Sequence, residues 1–275
     1  MDKNSNVYKT YVKILNRELL CSMGCTEPIA LAYCSAKARS VLGELPERIL
    51  VEASGNIIKN VKSVVVPNTN GGRGIATAAA MGALGGDENA ELEVIANVTD
   101  EAKAELASYM EKTEIQIQPL KSAHLLDMIV TAYSGDSYAK VRISDEHTNI
   151  VLIEKDGEVM LDNQTETMAE DPDMPDYTLL TVEDIYDFAC TCDVEDVREA
   201  LDRQIELNTA ISEEGLRNDY GANVGKIVST LGDGVRTRAI AAAAAGSDAR
   251  MNGCEMPVVI LSICQWLQQV ALLAR

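Results

Sequence analysis

The sequence predicts an α+β protein, with a mixed helix-and-sheet N-terminal half followed by an all-helical C-terminal part. Three observations carry this. Short β-branched segments bounded by Gly, Asn or Pro alternate with helical segments as far as residue 162. An acidic stretch at 162–178, "DNQTETMAEDPDMPDYT", then lacks any apolar period. Beyond it, apolar residues recur at helical spacing. The expected division is an α+β substrate-side domain over 1–175 and a helical domain over 176–275.

The elements follow in order. Val7, Tyr11, Ile14 and Leu15 place a helix over 6–20. Gly24 interrupts it. Thr26 as cap, with Glu27 and Pro28 in the first turn, opens a second helix that stops near Gly43. "RILVEAS" and "VKSVVVPN" are expected strands, and "SGNIIKN" between them an exposed turn. "GGRGIATAAAMGALGG" reads as a glycine loop, an alanine-rich helix and a glycine stop. "ELEVIANV" fits strand or helix. "TDEAKAELASYMEK" is a helix capped by Thr99 or Asp100, and "TEIQIQPL" alternates like a strand. "DMIVTAYSGDSYAKVRIS" and "TNIVLIEKDGEVML" are strands joined by turns, with Asp156-Gly157 a hairpin signal. "TVEDIYDFACTC", "VEDVREALDRQIELNTAISEEGL" and "RTRAIAAAAAGSDARM" are helices.

The chain has 275 residues and a hydrophobic fraction of 47%, enough for a packed core. A net charge of −19 argues against nucleic acid or an anionic membrane as partner. The N-terminus has no signal-peptide core, and no run reaches the roughly 18–20 apolar residues of a membrane span. A cytoplasmic protein is expected. Its seven cysteines, an odd number, then read as reduced thiols.

Cys25 stands at a helix start, where the dipole and free N–H groups favour a thiolate, while Glu27 opposes that shift. It reads either as a reactive thiol or as a small packed side chain. Cys21, Cys25 and Cys34 lack the tight paired spacing of structural zinc, so no metal ligands are assigned. "VPNTNGGRG" follows an expected strand and opens a helix, a geometry able to take a carboxylate or phosphate, with Arg73 as charged partner. Asn56, Lys59, Asn60 and His147 are polar groups at turns or strand starts, with structural readings beside functional ones.

Taken together, "GCTEPIALA", "SGNIIKN", "VVVPNT", "AAAMGALGG", "EHTNIVLIE", "LNTAISEEGL" and "SDARMNGCEMP" are more specific than any one alone. In this order over residues 7–258 the chain resembles the L-cysteine desulfidases, which are related to the alpha chain of iron–sulfur L-serine dehydratases. The resemblance implies β-elimination of L-cysteine to pyruvate, ammonia and hydrogen sulfide, with L-serine as a further substrate. It implies a [4Fe-4S] cluster held by three cysteines, one iron acting as Lewis acid. It gives Cys25 the role of base. Less specifically, it places Asn56, Lys59, Asn60 and the Pro67–Thr69 loop, with Asn68 and Thr69, near the substrate; Arg73 and His147 are further candidate substrate-binding residues.

The chain also departs from the family. After "SDARM" the family continues with a glycine- and serine-rich segment and, later, the cluster cysteines. Here the sequence runs into "PVVILSICQWLQQVALLAR", with glutamines clustered around the single tryptophan. The expectation is a truncated chain whose helical part is incomplete, which binds no intact cluster, has little activity alone, and exposes an apolar face on its alanine-rich helix. The alternative is a non-enzymatic remnant, or a subunit of a split enzyme whose partner is a complementary helical chain. A homo-oligomer is a further possible partner arrangement.

Overall fold

A computed structural model describes residues 1–164 and 174–261, and it is α+β as the sequence predicts. Its contacts form two units that interleave along the chain. One comprises Met1–Cys21, Glu166–Asn208 and Val259–Arg275, the other Ser22–Thr165 and Thr209–Val258.

The first unit begins with α1 (Asn6–Glu18), whose cap Ser5 accepts from the Tyr8 amide. Tyr8 and Tyr11 fall on one face and meet Phe188 of α6 (Val182–Thr191) and Val197 of α7 (Val194–Arg217) in a small core. The two tyrosine rings lie 5.2 and 5.3 Å from the Phe188 ring, the tilted and edge-on packing that aromatic quadrupoles favour. Each buried ring keeps its hydroxyl paired. Tyr8 donates to Asp196 at 2.7 Å and Tyr11 to the Leu179 carbonyl at 2.9 Å. The helix expected over 6–20 ends two residues early, because Leu19 and Leu20 enter β1 (Leu19–Ser22). This strand pairs with β8 (Val258–Leu261), an extended element in a region read as helical. The Asn208 side chain holds the Val259 amide and carbonyl at 2.9 and 3.0 Å, replacing part of a ladder.

The second unit is built on a sheet ordered β3 (Glu114–Pro119), β2 (Arg48–Ala53), β4 (Asp127–Ser134), β5 (Ser137–Ser144), β6 (Ile150–Lys155), β7 (Glu158–Asp162). Only β2 and β3 are parallel. In β2, Ile49, Val51 and Ala53 are buried and the residues between them are not, the period of a sheet covered on one face. The turn joining β6 to β7 has Asp156 and Gly157 both at positive φ, 51° and 83°, as a two-residue hairpin of matching twist requires.

The cover is α2 (Thr26–Leu42) and α4 (Gly74–Gly85), packed side by side. Neither is amphipathic, because each is buried nearly all round, α2 between α4 and strands β4 and β5. Gly43 ends α2 at φ 92°, a left-handed cap. Thr99 caps α5 (Asp100–Lys112), as expected.

Two local expectations are corrected. "SGNIIKN" is a helix, α3 (Gly55–Val61), because the Ser54 hydroxyl caps it and Ile57 and Val61, four residues apart, turn into the core. "VKSVVVPN" is not a strand. Val65 makes a lone bridge to Arg73, and the segment folds back at once, the Val66 amide reaching the Gly72 carbonyl at 2.9 Å.

In α9 (Val235–Met251), Ala241, Ala245 and Ala249 are buried. Gly215 and Gly225 press against the Ala245 backbone, where a built Cβ would lie 2.1 and 2.3 Å from its carbonyl oxygen and amide nitrogen. The large apolar side chains exposed on this helix lie in its first turns. Val235 and Ile240 are exposed there, together with Ile227 on α8 (Val224–Ser229) and the following Leu231.

On the sheet, the Asp127 carboxylate is fully buried and takes two hydrogen bonds from Arg142, at 2.9 and 2.7 Å. Arg142→Met is expected to cost about 3 kcal/mol, because a buried carboxylate loses its counter-charge. Urea unfolding checks this. A loss under about 1 kcal/mol would show the pair to be solvated.

Candidate active site around Cys25

Gly24 stands before the cysteine at φ 90°, and a Cβ there would lie 2.9 Å from Pro67 Cγ. Only glycine combines that backbone with that approach. Cys25 then caps α2 in extended conformation, its own side chain making no capping bond. Its Sγ turns instead to Glu27, donating to Oε2 at 3.2 Å. Thr26 Oγ1 donates to the same oxygen at 3.3 Å, and Asn60 Nδ2 of α3 donates to Oε1 at 3.1 Å. Cys25, Thr26 and Glu27 are all buried.

Two further groups come from distant sequence. His147, in the turn before β6, feels the Glu27 charge, and its Nδ1 is buried without a hydrogen-bond partner. Arg250, in the last turn of α9, acts on Cys25 through its charge. The "SDARM" segment passes beside Gly24, where a Cβ would lie 3.6 Å from the Arg250 carbonyl oxygen, and other segments hold it. The Met251 carbonyl accepts from the Val65 amide at 3.3 Å, and Asp248 accepts from the Gly225 amide at 3.0 Å. A Cβ on Gly253 would collide with Val65 Cγ1 at 2.5 Å.

The electrostatics correct the expected thiolate. Burial, then the Glu27 charge, pushes the Cys25 thiol up to about 12, and Arg250 only partly offsets them. The helix dipole is outweighed because the thiol has left the solvent. Burial also works against the charged Glu27 carboxylate. The hydrogen bonds from Cys25, its own amide and Asn60, together with His147, outweigh that and hold it below the usual carboxylate range. Burial lowers His147 despite the nearby Glu27 charge. In the free chain the site is therefore a neutral thiol donating to a carboxylate.

The structure brings Cys25, Asn60 and His147 together, with Glu27 at the centre. Asn56 and Lys59 are exposed on α3. Asn68 sits at φ 59° and donates to the Ile95 carbonyl at 2.7 Å, while Thr69 donates to the Val66 carbonyl at 2.6 Å. Arg73 donates to the Ser63 carbonyl at 2.7 Å, and the Gly72 and Gly74 amides are bonded within the same region. Sequence reasoning passed over Glu27 and Arg250. Glu27 reads as a first-turn acid whose charge only opposes ionisation of Cys25, and Arg250 lies inside the "SDARM" motif with no local signal of its own.

A family model described as serine dehydratase alpha chain matches residues 89–262. The chain belongs to the serine dehydratase alpha chain family. The matched span holds His147 and Arg250, while Cys25, Glu27 and Asn60 precede it. Relatives carry the similarity through that earlier part. A UPF0597 protein of Desulfitobacterium hafniense (strain Y51) is 48% identical over 263 residues, covering 95% of this chain and 61% of the relative. One of Lachnoclostridium phytofermentans is 49% identical over 257 residues, covering 93% and 61%. One of Treponema denticola is 38% identical over 265 residues, covering 94% and 62%. The chain thus spans about 61% of the length of the curated relatives it matches. No solved structure matches it.

Among the described residues no three His, Cys, Asp or Glu side chains stand close enough to hold a metal. They do not fit the cluster that the family resemblance implies, and no chemical step here is routed through one. The six cysteines among the described residues are free thiols, and Cys264 and the rest of the tail after Leu261 lie outside those residues. Among the described residues no helix is long and apolar enough to cross a membrane.

Proposed function

We propose that this member of the serine dehydratase alpha chain family serves β-elimination from a small amino acid, L-cysteine or L-serine, to pyruvate and ammonia. Cys25 is the group that takes the α-proton. The observation that carries the reading is the buried Cys25–Glu27 contact of 3.2 Å at the start of α2. Asn60, His147 and Arg250 converge on it from three separate segments. A thiol, a carboxylate and an imidazole in one cluster are the usual means of moving a proton at carbon. Asn60 and His147 face the substrate in this reading. Asn68, Thr69 and Arg73 shape the loop beneath Gly24, and Asn56 and Lys59 lie on the outer side of α3.

Cys25 must lose its own proton before it can accept one, and the Glu27 charge opposes that loss in the free chain. Any [4Fe-4S] cluster would draw on residues beyond those described. The test is pyruvate formation from L-serine and L-cysteine after anaerobic treatment of the chain with iron and sulfide. Cys25→Ser is expected to reduce pyruvate at least about 100-fold, the range for a lost general base, while L-serine binding stays within about threefold. Equal rates in the variant would remove Cys25 from the mechanism. A wild-type chain that neither binds L-serine nor forms pyruvate would remove the substrate reading.

A further inference from the structure

We infer that the Glu27 carboxylate is the seat of the substrate's α-ammonium group, and so sets the specificity of the site for amino acids over their deaminated analogues. This rests on the reading of Cys25 as base.

Glu27 is a buried carboxylate whose three side-chain partners, Cys25, Thr26 and Asn60, are all neutral donors. Among the described residues no Lys or Arg nitrogen lies within ion-pair distance of it. A buried charge of this kind calls for a counter-ion. The pair Asp127–Arg142 shows how the same unit treats a buried acid that serves structure alone, with a guanidinium holding both oxygens. Glu27 lacks such a partner, and Asn60, which donates to it, is only half-buried, as are His147 and Arg250. A cation seated directly on the Glu27 oxygens is what every amino-acid substrate carries.

The geometry then couples binding to chemistry. A thiol is a weak hydrogen-bond donor and an ammonium a strong, charge-assisted one, so of the Glu27 partners Cys25 is the one an ammonium displaces. The α-hydrogen is borne by the carbon next to the ammonium nitrogen. A nitrogen held on Glu27 therefore brings that hydrogen beside Sγ, which contacts the same carboxylate at 3.2 Å.

The bound ammonium also cancels the charge that opposes ionisation of Cys25. The charged or titratable groups around the pair are Glu27 on α2 itself, Arg250 from α9 and His147 from the turn before β6, with Glu146 acting on His147. Burial lowers His147 and Arg250 already favours the thiolate, so Glu27, the charge that opposes ionisation of Cys25, is the group whose neutralisation matters. The thiol proton leaves to solvent. Substrate thus prepares its own base, and the empty site keeps an unreactive thiol.

The test compares L-serine with its des-amino analogue, 3-hydroxypropionate, by calorimetry. The wild-type chain is expected to prefer L-serine at least about 30-fold, and Glu27→Gln to lose at least about 30-fold in L-serine affinity together with that preference. A general loss of packing would weaken both ligands alike. A second measurement needs no variant. The Cβ chemical shift of labelled Cys25 is expected to titrate at least about one pH unit lower with saturating L-serine, and not with 3-hydroxypropionate.

Cys25→Ser should keep the ligand preference while losing turnover. Equal binding of the two ligands by the wild-type chain, or an unchanged preference in Glu27→Gln, overturns the inference and leaves Cys25 as base. No L-serine binding by the wild-type chain overturns both.

Discussion

Replacing Gly82 by alanine is expected to destabilise the second unit by about 3 kcal/mol or more, the upper range for overpacking. The methyl would meet backbone. An ideal Cβ at Gly82 lies 2.1 Å from the Ala32 carbonyl oxygen and 2.7 Å from the Ala32 Cα, both on α2. No rotamer change can relieve that, so α2 and α4 must move apart. Ala32 lies in the same helix that opens with Cys25 and Glu27, so the displacement travels to the site. Urea unfolding of Gly82→Ala should show the loss, and L-serine affinity should fall with it. Gly85→Ala is the control on the same helix, since its Cβ would meet only side-chain atoms, the nearest at 3.2 Å. If both variants lose the same stability, the cost comes from helix strain and not from the α2–α4 contact.

The second large effect is alkaline. Burial pushes the Cys25 and Cys34 thiols from 9.0 up to about 12 in the folded chain. A raised folded value means that the stability is fully present below the unfolded value and is lost as pH rises through the folded one. The window therefore opens near pH 9 and closes near pH 12. Over that whole window each thiol withdraws on the order of 4 kcal/mol, from about three pH units at 1.36 kcal/mol each. Between pH 8 and 10.5 the two together should remove roughly 4 kcal/mol, a large part of the 5–15 kcal/mol typical of a domain.

Cys34 is the cleaner probe, since it is fully buried, donates only to the Val141 carbonyl at 3.3 Å, and is remote from Glu27 in the bonding network. Cys34→Ala should halve the fall in urea stability over this range, whatever it does to stability at pH 7. An unchanged slope would assign the alkaline loss to other groups, of which Tyr109, also raised to about 12 by burial, is the first to examine.

Local chemistry made much of this legible in the sequence. Thr99 caps α5 because its hydroxyl satisfies an amide three residues on, a signal the sequence shows directly. Asp156-Gly157 makes its hairpin because both positions tolerate positive φ. The alternation in β2 and the glycines bounding α2 and α4 are equally local, and they carry the α+β class. The segments "GCTEP" and "SDARM" were visible as motifs, and Cys25, Asn60 and His147 as candidates.

The tertiary structure decided what those candidates are to each other. Three valines in a row at 64–66 have strand propensity, yet the chain must return at Gly72 to start α4, so they form a single bridge and not a ladder. The dipole at the start of α2 can be read from sequence, but the desolvation of Cys25 cannot, because it depends on how completely neighbouring segments cover the thiol. That burial reverses the sign of the predicted shift. The arrival of Asn60, His147 and Arg250 around Glu27 likewise depends on long-range packing. The sequence by itself determined which groups could do chemistry, since capping, turn formation and periodicity act over a few residues. Only the tertiary structure decided which of them share a low-dielectric cluster, because burial and charge act between residues that the sequence holds far apart.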